Sequence, residues 1–135
     1  MRLVTALMMS MLACQVGETR MANEPVPTGV WGGKGIQLTV TEEGGLIDYG
    51  CDSGTIDQRL QTDSHGKFSA KGAHIFGRGG PRRPGDAASK PRDAQYEGVR
   101  KEDELEITVR LPELDRNVGT FTVRLGQSPT LERCG

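Results

Sequence analysis

LEITVRL, residues 105–111, alternates apolar and polar side chains without a slip. A strand turns successive side chains to opposite faces, so Leu105, Ile107, Val109 and Leu111 share one face and Glu106, Thr108 and Arg110 the other. The same period of two runs outward in both directions. Downstream, GTFTVRL (119–125) places Phe121, Val123 and Leu125 inward. Upstream, AQYEGVR (94–100) sets Ala94, Tyr96 and Gly98 in register, with Val99 out of phase and Gly98 read as a bulge. KFSAKGAH (67–74) gives Phe68, Ala70, Gly72 and His74 one face. GIQLTVT (35–41) does the same for Ile36, Leu38 and Val40, and LIDYGC (46–51) for Ile47, Tyr49 and Cys51. GTIDQRL (54–60) is weaker, with Ile56 and Leu60 in phase. The tail GQSPTLERCG turns at Ser128-Pro129 and is expected to end in a short strand carrying Cys134.

TEEGG and QTDSHGK are turns between these runs, and no helical period appears after residue 28. About eight short strands joined by short turns predict an all-β fold, a small antiparallel eight-stranded barrel or curled meander sheet. A Greek key would need longer crossings. An immunoglobulin domain would place its Trp between the two cysteines, whereas Trp31 precedes both Cys51 and Cys134.

At 135 residues, the chain has room for one domain. Its 17 Lys and Arg against 18 Asp and Glu give a net charge of −1, which excludes a global attraction to nucleic acid or membrane. Nineteen Gly and seven Pro fit a turn-rich chain.

The first residues read as targeting rather than fold. Arg2 precedes the uncharged, largely apolar run Leu3 to Ala13, too short for a membrane-spanning helix of about 20 residues. MLAC resembles a bacterial lipoprotein signal, which implies a signal peptide over 1–13, acylation of Cys14, and an exported, membrane-anchored protein facing the periplasm or cell exterior. Export with cleavage elsewhere and a cytosolic apolar amino terminus are the alternatives. Residues 14–28 then form the lipidated Cys and a flexible tether, and 29–135 the single β domain.

With Cys14 acylated, an exported chain is left with Cys51 and Cys134 as a disulfide pair. Chain entropy makes so long a loop worth roughly 4–5 kcal/mol. Two buried free thiols are the other reading.

WGGKG (31–35) is not a phosphate loop. Thr28 stands where its first Gly belongs, Gly35 where Ser or Thr would hold magnesium, and a strand follows where a helix should. Trp31 is expected to plug one barrel end. His65 sits in a turn, whereas His74 lies in phase with Phe68 and points inward at a rim. Neither has metal-ligand spacing with Asp63 or Asp86. No serine among Ser53, Ser64 and Ser69 occupies a nucleophile elbow, and the carboxylates Glu42-Glu43 and Glu102-Asp103-Glu104 fall on turns. The chain therefore names no catalytic residue, metal or cofactor.

HIFGRGGPRRPGDAASKPRDA (74–94) is the long connection. Arg78, Arg82, Arg83, Lys90 and Arg92 face Asp86 alone before Asp93, with glycines to turn backbone N–H groups and prolines to stiffen the segment. Connections beyond about 12–15 residues are usually functional or disordered. The ligand-binding residues expected are His74 and these five bases, within a contact loop 75–93.

In order, W-G-G at Trp31–Gly33, Y-x-C-x-x-G at Tyr49–Gly54, G-x-F at Gly66–Phe68, G-G-P at Gly79–Pro81, Y-x-G at Tyr96–Gly98 and Cys134 make the chain similar to small exported bacterial proteins of uncharacterised function. That resemblance implies a disulfide-bearing cell-envelope β domain. DYGC (48–51) and the late cysteine also resemble the membrane-bound inhibitors of c-type lysozyme, small envelope β-barrels, although their Ser-Gly, Tyr and Trp-x-x-Lys elements are not recognisable here. The expected function is a non-catalytic envelope binding or structural module, touching an anionic envelope component or a protein partner and no nucleic acid. Inhibition of a lysozyme-like or other hydrolase is the alternative, and an enzyme of unknown class the third reading.

Overall fold

The computed structural model describes residues 24–77 and 90–132. Eight strands form a closed antiparallel barrel: β2 (Gly29–Gly33), β3 (Ile36–Val40), β4 (Gly45–Asp48), β5 (Ser53–Ile56), β7 (Lys67–Ile75), β8 (Arg92–Lys101), β9 (Glu104–Leu111) and β10 (Arg116–Leu125). Neighbours in sequence are neighbours in space, and β10 returns to β2 to close the ring. Two short strands, β1 (Glu24–Pro25) and β6 (Gln61–Thr62), pair beside it. The expected barrel is therefore present, with closure as the form its meander takes.

Closure rests on few residues. β9 and β10 pair from Arg116–Leu111 to Arg124–Glu104, but β10 meets β2 only at Val123–Gly33, Arg124–Gly32 and Leu125–Trp31. The bulge lies between Asn117 and Gly119 of β10, not at Gly98. Gly98 instead pairs regularly with Phe68 and Ile107, and its missing side chain makes room for the Phe68 ring.

The alternation in LEITVRL is realised directly: Leu105, Ile107, Val109 and Leu111 are fully buried. They pack with Trp31, Ile36, Leu38, Ile47, Ile56, Phe68, Tyr96 and Val123, so side chains fill the bore, as an eight-stranded ring allows. Trp31 donates from Nε1 to the Pro27 carbonyl, and Tyr96 from its hydroxyl to that of Ala73. Both polar tips are thus satisfied inside an apolar core. Leu125 shares the inward phase but is 38% exposed, because it ends its strand.

The β domain starts earlier than the expected boundary at residue 29. Val26 is buried, its N–H donates to the Leu60 carbonyl, and Glu24 and Pro25 pair with Thr62 and Gln61. The prolines that suggest a tether instead suit a short edge strand, which needs no donor from Pro25.

Beyond β10 the chain turns back along β2. Gly126 N–H donates to the Val30 carbonyl and Thr130 N–H to that of Gly33, while Gly35 N–H donates to the Thr130 carbonyl. A Cβ on Gly32 would run into the Gln127 carbonyl, so the W-G-G motif is a bed for the tail. The tail reaches the β4–β5 turn, where the Glu132 carbonyl lies against Gly50. Cys51 lies in that turn. Its expected partner, Cys134, lies outside the described residues.

Antiparallel order assigns each connection to an end. The β2–β3, β4–β5, β7–β8 and β9–β10 connections share one pole, called here the loop pole. The β1–β6 pair, where the described chain begins, is at the other.

Candidate functional site

The loop pole gathers the polar groups that the barrel interior excludes. β7 and β5 pair with His74 opposite Gly54, which brings the turn before β5 alongside the end of β7. Asp52 in that turn faces His74: Oδ2 lies 2.9 Å from Nε2. Its other oxygen, Oδ1, accepts the Gly77 N–H at 2.9 Å. One carboxylate thus holds β7 and the first residues beyond it to the β4–β5 turn. Gly77 is required there, because a Cβ would meet the Cys51 carbonyl.

His74 is fully buried, whereas the Asp52 side chain is 28% exposed. When Nε2–H donates to the carboxylate, the neutral tautomer leaves Nδ1 as an acceptor. Nδ1 has no hydrogen-bond partner among the described residues, and neither does the buried Tyr49 hydroxyl. The Tyr49 and His74 rings are neighbours, with centroids 5.2 Å apart. Burial pushes the Tyr49 hydroxyl well above the usual phenol range, with Tyr96 and then Asp52 adding to the effect. It therefore stays a donor at any physiological pH.

Aromatic rings close this end. Tyr49 tilts against Phe121 at 5.6 Å, and Phe76 meets His74 edge-on at 4.8 Å. The Arg116 guanidinium lies 5.4 Å from the centre of the Phe76 ring, a cation–π contact that ties the start of β10 to the end of β7.

Of the expected ligand-binding residues, His74 is inward as predicted but has no path to solvent. Its imidazole Nε2 pairs with Asp52 Oδ2. Lys90 and Arg92 are at the pole, and both act on Glu113, whose pKa is held above the ordinary carboxylate range by hydrogen bonding to Asp93 while Arg92 and Lys90 pull it down. Their charge is thus largely balanced locally. Arg78, Arg82, Arg83, Cys14 and Cys134 lie outside the described residues.

The sequence pattern singled out neither Asp52 nor Arg116, and it placed Phe121 inward without linking it to Tyr49. Only the adjacency of Asp52 to Cys51 marked it, and its tie to His74 depends on cross-strand register. Among the described residues, no group of three His, Cys, Asp or Glu could hold a metal. His65 is in an exposed turn where Asp63 Oδ1 accepts its N–H and that of Lys67. These bonds, Lys67 first, hold the Asp63 carboxyl below the usual carboxylate range.

No family model, curated protein or solved structure matches the chain.

Proposed function

We propose that this chain is a non-catalytic envelope module that binds an anionic surface or an acidic protein partner through its loop pole. The double hold of Asp52 on His74 and Gly77 carries this reading. It anchors the outgoing limb of the β7–β8 connection to the barrel, and rigid roots are what binding loops need from their scaffold. The filled bore supports the same view, since a ligand must then be met from outside.

The positive excess comes from Arg78, Arg82 and Arg83 against Asp86, because Lys90 and Arg92 are offset by Asp93 and Glu113. Acylation at Cys14 would attach the protein at the pole opposite the loop, which leaves the loop pole turned toward a partner. A Cys51–Cys134 bridge would fasten the tail beside the loop root, and the Glu132–Gly50 contact supports that pairing. Inhibition of a lysozyme-like hydrolase is the second reading, favoured by the closed β-barrel, since the resemblance implied a small envelope β-barrel.

The test is sedimentation with vesicles containing anionic lipid, at low and high salt, for the natural protein and for Arg82→Ala/Arg83→Ala. Binding that falls with salt and with the double substitution supports the reading. Binding indifferent to both removes the basic loop from consideration. A stable one-to-one complex with lysozyme in gel filtration would select the inhibitor instead. Palmitate labelling that persists in Cys14→Ser would remove the anchor.

A further inference from the structure

We propose that Tyr49, His74 and Asp52 form one hydrogen-bonded relay that latches the root of the β7–β8 connection to the barrel mouth, with Tyr49 O–H donating to His74 Nδ1. Two bonds of the chain are in place: His74 Nε2–H to Asp52 Oδ2, and Gly77 N–H to Asp52 Oδ1. The third joins the two buried polar atoms left over, and these are chemically complementary. In the neutral tautomer with its proton on Nε2, His74 offers Nδ1 as an acceptor. The Tyr49 hydroxyl is a donor because burial keeps it protonated. Leaving both unmet carries the desolvation cost of two buried polar groups, and the two rings are tilted neighbours, with centroids 5.2 Å apart.

The relay crosses three separate parts of the fold. Tyr49 follows β4 and rests on Phe121 of β10, His74 is in β7, and Gly77 starts the connection. The imidazole acts as a rigid spacer, gripped at one nitrogen by the mouth and at the other by the turn. Phe76 packs edge-on against the same ring and carries Arg116 on its own face, so a ligand that moves Arg116 moves the relay. Loop-root order and mouth packing thus become one variable. This claim does not depend on what the loop binds.

The experiment is amide exchange and imidazole ¹⁵N spectroscopy on the full chain. Tyr49→Phe keeps the ring and removes only the hydroxyl. The relay requires His74 Nδ1 to move to the position of an unbonded imine nitrogen and Gly77 N–H to exchange about five- to tenfold faster, the effect of one lost hydrogen bond. Asp52→Asn, at a part-exposed site, should speed Gly77 exchange at least as much while the Tyr96 region stays protected. An Nδ1 resonance unchanged in Tyr49→Phe would overturn the relay. Gly77 exchange unchanged in that variant would overturn the coupling.

Discussion

Asp52 and His74 lie 22 residues apart in the chain and meet at 2.9 Å across the end of the barrel. The contact joins a part-exposed carboxylate to a fully buried imidazole. A buried imidazole needs a partner for its N–H, and the carboxylate supplies one without leaving water itself. The second oxygen, bonded to Gly77, makes the same residue the anchor of the long connection.

Asp52→Ala should therefore lower stability by about 2–3 kcal/mol, since it orphans a buried N–H and a backbone N–H together. That corresponds to a fall of roughly 10 °C in Tm for a domain of this size. Asp52→Asn keeps an acceptor and should lose about half as much. Thermal unfolding of the three proteins checks it; equal values for natural protein and Asp52→Ala would deny the clamp.

Gly32→Ala tests the tail. The added methyl would collide with the Gln127 backbone, which no side-chain rotation can relieve. The tail from Gly126 onward should lift from β2, with protease cleavage there before the barrel is cut and a stability loss of about 1–3 kcal/mol. Cleavage that begins elsewhere would show that the tail is not what Gly32 accommodates.

Much of the architecture was legible because a period of two survives tertiary context when only one face is buried. The inward phase of Leu105–Leu111, of Phe68–His74 and of Ala94–Tyr96 follows from that alone. A barrel was one of the two expected forms, but the choice between it and an open curled sheet depends on three residue pairs between the first and last barrel strands, and no local pattern encodes them. Val26 was hidden for a similar reason: an apolar residue between two prolines has no period to betray its burial. The site divides the same way. His74 could be placed inward by phase, but Asp52 becomes its partner only through the Gly54–His74 register.

Glu113 and Asp93 offer a test of the charge balance at the loop pole. Hydrogen bonding to Asp93 raises the Glu113 pKa more than Arg92 and Lys90 lower it. Asp93→Asn should bring Glu113 back toward the ordinary carboxylate range, and Arg92→Gln should raise it further. Carboxyl ¹³C titration by NMR reads both; a Glu113 curve unmoved by Asp93→Asn would mean that the two side chains are not paired.

The two tyrosines predict an alkaline limit. Burial raises both Tyr49 and Tyr96 above the ordinary phenol range, with Tyr96 and Asp52 adding to the first and Asp57 to the second. They are the only tyrosines in the chain. In the unfolded state each ionises near pH 10, so above that pH the unfolded chain binds fewer protons than the folded one. Their contribution to stability is complete below about pH 10 and is lost as pH rises toward the folded values, by up to about 1.4 kcal/mol per pH unit for each. Tyrosinate absorbance should therefore appear together with unfolding, not before it. Tyr96→Phe should roughly halve the steepness while losing only about 1 kcal/mol at neutral pH for the bond to Ala73. A phenolate signal that rises near pH 10 in the folded protein would mean that at least one of the rings reaches solvent.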